Sequence, residues 1–303
     1  MKADTLPAAQ AAGAWQRAGR VAKDYYRLAK PDIVMLILLT ALGGLLAAPG
    51  AGISLGLALA TLAGVGLTSA GGGVLNCYID RDIDALMRRT ARRAIPAGRV
   101  PARHALVYGL ALAAAGLAIM LRWVGLFAAA LTLTGFLIYV GVYSLWLKRR
   151  TPHNIVIGGA AGAMGPLIGW AAADAPLGLA PWVLFGIIFL WTPPHFWSLA
   201  LLAEEEYRRA GVPMMPNTRG AHSTRRQMLA YTAALAVVAV LPPFLGVGGW
   251  GYLGVAGAAS AVYVALAARA YLRPSRQVDG QLFRYSMTYL AIVFLALIAS
   301  ARW

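Results

Sequence analysis

What most constrains this chain is a succession of uncharged apolar runs, each about 18 residues or longer, parted by short charged stretches. Hydrocarbon offers no water to backbone N–H and C=O groups, so a segment that spans it must be a helix or part of a closed barrel. Nine windows qualify, near 33–50, 53–77, 105–121, 124–146, 155–173, 181–203, 228–247, 250–268 and 285–301. A barrel would show alternating segments of about ten residues, and none is present. The expected fold is all-α and polytopic, with one membrane domain over 28–303 behind a cytoplasmic segment over 1–27. The 34 glycines suit close helix packing in lipid, where small residues let backbones approach.

Charge sets the orientation. Only 13% of residues are charged, against about 25% in a soluble domain, yet the net charge is +16. Such an excess on one soluble face would point to nucleic acid, but the positions exclude that reading. The 27 Lys and Arg precede the first window or lie between windows two and three, four and five, six and seven, and eight and nine, apart from Arg122 and Arg302. Basic loops stay in the cytoplasm, so the N-terminus is expected inside and the C-terminus outside, as an odd number of spans requires. Contact with lipid headgroups is the other use of these side chains. The first residues lack the apolar core of a secretory signal, and Asp4 and Asp24 argue against a transit peptide. A bacterial inner (cytoplasmic) membrane is the expected location. The single cysteine, Cys77, forms no intramolecular disulfide and reads as a packed thiol.

The chain has 11 acidic residues, and six of them form two clusters: Asp80, Asp82 and Asp84 after the second window, Glu204, Glu205 and Glu206 after the sixth. Both fall on the cytoplasmic side. Asn76, Asp80 and Asp84 are spaced by four, and each such step turns a helix about 400° and climbs about 6 Å. Three oxygen-bearing side chains then share one face, while Asp82 points away. Carboxylates so close repel one another unless a cation intervenes. Mg²⁺ is commonly held by one or two carboxylates, with phosphate and water completing its shell. Arg88, Arg89, Arg92 and Arg93 follow directly and offer guanidinium donors to whatever phosphate oxygen is left. A solvated helix end with local ion pairs has the same composition, and spacing alone leaves both readings open. The second cluster, "AEEEYRRAGVPMMPNTRG" (203–220), repeats the order of acid, tyrosine, base and turn. Two like-sided clusters point to one shared site.

"NCYIDRDID" (76–84) has the N-x-x-x-D-x-x-x-D form of the UbiA-type intramembrane prenyltransferases, and the chain resembles that superfamily. The segments "LAKPDIVMLILLTALGG" (28–44), "YSLWLKRRTPHNIVIGGAAGAMGPLIGWAA" (143–172) and "WTPPHFWSLAL" (191–201) make it similar to the haem-farnesylating branch, the haem O synthases. The resemblance implies a nine-helix bundle with a central cavity. It implies transfer of farnesyl from farnesyl diphosphate to a vinyl group of haem B, a substrate, with water addition and release of diphosphate. Mg²⁺ is the implied cofactor, and haem-copper oxidase biogenesis the implied setting, with haem A synthase or oxidase assembly factors as partners. Carried over by motif, Asn76, Asp80, Asp84, Arg88, Arg92 and Lys148 are the expected catalytic set, and Arg93, Arg149, Asn154, His195, Glu205 and Tyr207 the substrate-binding set. Asp80, Asp84, Glu205 and Glu206 are the expected metal ligands. The chain departs from the family pattern at Asp32, Ala94, Gly165 and the run Ala203–Glu206.

Remaining motifs have two uses each. Pro193 and Pro194 predict a kink in the sixth helix, with His195 either buried and hydrogen-bonded or set against the porphyrin by ligation or stacking. His153 and Asn154 either cap the fifth helix or touch substrate; His104 and His222 have no assigned role. Gly71-Gly72-Gly73 lacks the strand before it and the Gly-Lys-Ser/Thr after it that a phosphate loop needs, so helix packing or room for an isoprenoid accounts for it. A sister prenyltransferase acting on an aromatic quinone precursor would share the metal site. A cation transporter would need acids within the spans, where this chain has none.

Overall fold

The computed structural model describes residues 19–50 and 52–300, and within them every regular element is helical. The helices are α1 (Gly19–Leu28), α2 (Pro31–Ala47), α3 (Leu55–Ile79), α4 (Arg81–Leu86), α5 (Ala102–Val124), α6 (Leu126–Arg149), α7 (Asn154–Ala172), α8 (Leu179–Leu202), α9 (Glu204–Arg209), α10 (Met215–Arg219), α11 (Ala221–Ala239), α12 (Trp250–Leu272) and α13 (Arg276–Ala299). Of the expected N-terminal segment, 1–18 lie outside the described residues, and the rest enters α1.

Among the described residues seven helices (α3, α5, α6, α7, α8, α12 and α13) are long and apolar enough to cross a membrane, or eight if the pair α1 and α2, bent by 50°, counts as one span. The seventh apolar window is corrected. Its helix, α11, ends at Ala239, and the residues after it turn through a short 3₁₀ segment, Pro242–Leu245. Pro242 and Pro243 have no N–H to donate to the carbonyls four residues back, so the α-helical ladder cannot run through them and the apolar run leaves the helix there. α11 instead starts earlier, at Ala221, and takes in the charged Arg225 and Arg226. Pro193 and Pro194, by contrast, lie buried inside α8 without ending it.

The bundle closes on itself. α2 packs on α3, α7 and α13; α7 on α6 and α8; α8 on α11 and α13; α12 joins α11 to α13. Contact between backbones drives the tightest pairs, as expected where lipid gives helices no hydrophobic reason to associate. A Cβ on Gly71 would stand 2.5 Å from the Gly109 carbonyl oxygen on α5, and one on Gly169 2.6 Å from the Leu45 amide on α2. The outer faces carry exposed apolar side chains such as Leu55, Trp123, Leu126, Phe127 and Leu272, a surface suited to lipid.

Candidate functional site

α3 ends at Ile79 and α4 begins at Arg81, yet the four-residue ladder runs through the joint. The Asp80 amide donates to the Asn76 carbonyl at 2.9 Å, and the Asp84 amide to the Asp80 carbonyl at 2.8 Å. Asn76, Asp80 and Asp84 therefore line one face, and all three are buried. Asp82 faces away and is exposed; Arg149 donates to it through two nitrogens, at 2.8 and 2.7 Å. The Arg149 guanidinium holds the Asp82 carboxyl down at about 2. Arg149 is thus spent on Asp82 and on the Ile79 carbonyl, 3.2 Å away.

Each buried carboxylate meets a cation from elsewhere in the chain. Lys148 donates to Asp80 Oδ2, and Arg93 to Asp84 Oδ2 at 2.6 Å. Asn76 Nδ2 bridges Asp80 Oδ2 at 2.9 Å and the Ser144 hydroxyl at 2.8 Å. Its Oδ1 accepts from Lys30 at 2.5 Å, and Lys30 also donates to the Tyr139 hydroxyl at 3.1 Å. Tyr139, Ser144 and Lys148 come from the last turns of α6, which widen into a π segment over Ile138–Trp146 before a 3₁₀ turn over Leu147–Arg149. The Ser144 hydroxyl donates to the Tyr139 carbonyl at 2.8 Å, five residues back, as the wider turn allows. Hydropathy read this stretch only as part of a span. Its polar residues were the available signal, along with Lys30 before Pro31.

Asp80 Oδ1 is the atom left over. It is buried and has no hydrogen-bond partner among the described residues, and such a group is costly unless something binds it. A hard cation held by one or two carboxylates plus substrate phosphate fits that oxygen, with Asp84 one turn on. The four expected metal ligands do not form a ready-made cage: among the described residues no three His, Cys, Asp or Glu side chains stand close enough to hold an ion.

The second acidic segment reaches the first through one residue. Glu206 Oε2 accepts from the Arg89 amide at 3.4 Å, while Glu205 stays exposed in local pairs with Arg208 and, at 3.5 Å, with Arg209. Glu204, Glu205 and Glu206 line a cleft of about 560 Å³ with Arg88, Arg208, Arg209 and Arg276. A smaller pocket of about 190 Å³ lies between Asp82, Ile83 and Leu86 on one side and Ala210, Gly211 and Val212 on the other. Tyr207 is buried beneath this mouth. Arg92 remains exposed, and among the described residues only its carbonyl has a hydrogen-bond partner, the Arg99 guanidinium at 3.1 Å.

His195 is buried in α8 with both ring faces covered, by Trp191 at 4.4 Å and Phe283 at 5.0 Å between centroids. Stacking on another ring is thereby closed to it. Its Nδ1 lies 2.6 Å from the Ser286 hydroxyl, which itself donates to the Phe283 carbonyl at 2.6 Å. Ser286 therefore accepts from Nδ1, which leaves Nε2 with the free lone pair. Asn154 does not cap α7. It is that helix's first residue, donates to the Thr151 carbonyl at 2.5 Å, and keeps a buried Oδ1 without a partner among the described residues.

A model of the UbiA prenyltransferase family matches residues 37–298. Among curated proteins, the protoheme IX farnesyltransferase of Gloeobacter violaceus is 47% identical over 275 residues, covering 90% of each chain. That of Gluconacetobacter diazotrophicus is 44% identical over 296 residues, covering 93% of this chain and 92% of its own. The Roseiflexus protein of the same name is 45% identical over 91% of this chain, which spans only 52% of that longer protein. Among solved structures, a UbiA homologue from Aeropyrum pernix aligns with a TM-score of 0.69 at 23% identity, over 89% of this chain and 98% of its own. One from Archaeoglobus fulgidus, bound to GPP and Mg²⁺, aligns with a TM-score of 0.67 at 20% identity, over 90% and 99%. These last two likenesses concern the fold, whereas the family match and the identity to the curated proteins concern the chain itself: it belongs to the UbiA prenyltransferase family.

Proposed function

We propose that this chain transfers the farnesyl group of farnesyl diphosphate to a vinyl group of haem B, with addition of water, giving haem O and diphosphate. One observation carries the reading: the buried Asn76–Asp80–Asp84 face, ringed by Lys148 and Arg93, with one carboxylate oxygen unpartnered. The relatives at 44–47% identity support the haem acceptor over the quinone-precursor alternative.

The reaction begins as an allylic C–O bond ionises and diphosphate leaves with added negative charge. Lys148 and Arg93 stand where they stabilise that charge more in the transition state than before it. Arg88, at the cleft with the glutamates, adds a mobile donor at the rim, and Arg92 and Arg149 add positive potential from the surface. When bound, Mg²⁺ neutralises further charge on the diphosphate; Asp80 and Asp84 would hold it, with Glu206 closing from the second segment and Glu205 as its neighbour at the rim. The electron-rich vinyl group attacks the allylic carbon, and water then adds to the resulting cation and loses a proton, which leaves with diphosphate or solvent. Walls of apolar helix keep water from capturing the farnesyl cation first. His195, through Nε2, is the proposed haem contact. Asn154 Oδ1 and Tyr207 are the proposed substrate contacts beneath the mouth.

In this reading all nine long helices cross the inner membrane, α11 included, within one domain over 28–303. The N-terminus and the site face the cytoplasm and the C-terminus faces out, as the basic loops require. Haem A synthase or oxidase assembly factors are the proposed partners. The test is incubation of purified protein with Mg²⁺, farnesyl diphosphate and haem B, followed by mass spectrometry. A haem product heavier by a farnesyl group plus a hydroxyl group is expected. Diphosphate release with 4-hydroxybenzoate but not with haem B would transfer the assignment to the quinone-precursor branch.

A further inference from the structure

Lys30 is the hinge between α1 and α2, with φ 53° and ψ 59°. That left-handed conformation is uncommon for a residue with a Cβ, and such strain persists only where the surroundings over-determine it. Here the surroundings are α3 and Pro31. Gly73 leaves the space: a Cβ there would stand 3.2 Å from the Ala29 carbonyl oxygen and 3.5 Å from Lys30 Cγ. Beside it, a Cβ on Gly72 would meet the Tyr139 ring at 3.1 Å. Two consecutive glycines thus seat both the hinge and one of the acceptors that Lys30 uses.

The half-buried ammonium is held differently from its neighbours. Lys148, Arg93 and Arg149 each have a carboxylate, whereas Lys30 has none within 4.0 Å among the described residues. Both of its acceptors, Asn76 Oδ1 and the Tyr139 hydroxyl, are neutral. Asn76 is fixed by Asp80 and Ser144, so its amide oxygen is committed to Lys30. An ammonium has three donors, and the third finds no acceptor among the described residues. A strained, half-buried cation without a counter-ion, one amide away from Asp80, is a place for an anion to bind. We propose that Lys30 binds the diphosphate of the prenyl donor directly, as a further cation beside Lys148 and Arg93. This assignment rests on the prenyltransferase reading above.

The alternative is a strut that only orients Asn76. Kinetics of the full chain in nanodiscs separate the two, using Lys30→Met, Lys30→Arg and Lys30→Gly. Glycine relieves the left-handed backbone while removing the charge, so it reports even if the methionine variant misfolds. The expected result is a KM for farnesyl diphosphate raised about tenfold or more in the methionine and glycine variants, with the haem B KM within about twofold. Arginine should recover most of the loss. Calorimetry with Mg²⁺ and inorganic pyrophosphate should weaken about as much, and inorganic phosphate, with less charge, by less. Unchanged farnesyl diphosphate KM and pyrophosphate affinity would overturn the proposal, as would an equal rise in both KM values. A wild-type protein inactive towards farnesyl diphosphate and haem B would sink the function reading alone, since pyrophosphate binding still decides the role of Lys30.

Discussion

Asp80 and Asp84 on one side, and Glu204, Glu205 and Glu206 on the other, share acidic composition and a place at one end of the bundle but not a physical state. The aspartates are buried, and their cations come from other elements: Arg93 nine residues on and Lys148 sixty-eight residues on. Glu204 and Glu205 are exposed, and Glu205 pairs with Arg208 and Arg209 one turn along its own helix. An exposed pair of that kind contributes little, about 0–1 kcal/mol. A buried carboxylate stripped of its partner, or a buried cation stripped of its carboxylate, costs about 3–5 kcal/mol. The first segment is therefore organised before any ligand arrives, and the second can rearrange cheaply when one does. Glu206 is the hinge of the comparison, half-buried and already on the Arg89 amide.

Four substitutions, taken from largest effect to smallest, test this contrast. Asp80→Asn should lower turnover by about a thousandfold, since it removes the charge from a buried carboxylate with an unpartnered oxygen and strands Lys148. A melting curve alongside the rate assay reports the fold; activity within tenfold of wild type would defeat the site assignment. Glu206→Gln should cost about ten- to a hundredfold in kcat/KM, and Glu205→Gln about threefold or less, on the same assay. The reverse order would mean that Glu205 swings inward and that the geometry at rest misleads. Asp82→Asn should change activity and stability least, by about 0.5 kcal/mol or under, because its pair with Arg149 is exposed. The depressed carboxyl makes that contribution full above the ordinary carboxylate range near 4, and lost as pH falls towards 2. A stability difference between Asp82→Asn and wild type as large at pH 2 as at neutral pH would contradict the ion-pair account.

Much of the fold was legible locally. Apolar runs marked the helices because satisfying the backbone in hydrocarbon needs no distant partner. The window 228–247 differs in its bounds, α11 running over Ala221–Ala239, for an equally local reason: Pro242 and Pro243 lack the N–H that would carry the ladder on, and hydropathy does not weigh that. Four-residue spacing placed Asn76, Asp80 and Asp84 on one face, and the ladder of hydrogen bonds carries that spacing across the joint between α3 and α4. The basic residues were harder to sort. Arg88, Arg89, Arg92 and Arg93 read alike in sequence, but only Arg93 reaches Asp84, while Arg92 stays outside. Lys30 and Tyr139 were missed because the sequence marks them only as polar residues beside or within a span, and Lys30 meets Asn76 and Tyr139 across 46 and 109 residues.

The sequence by itself determined that this is an apolar helical bundle with two acidic clusters on its basic side, since helix period, hydropathy and charge are properties of neighbouring residues. Only the tertiary structure decided which cation meets which carboxylate, that Lys30 meets Asn76 across 46 residues, and that Glu206 rather than Glu205 touches the first segment across 117. Those pairings depend on hydrogen-bond distances, and such distances between remote residues are set by how helices pack, through glycines that let one backbone approach another.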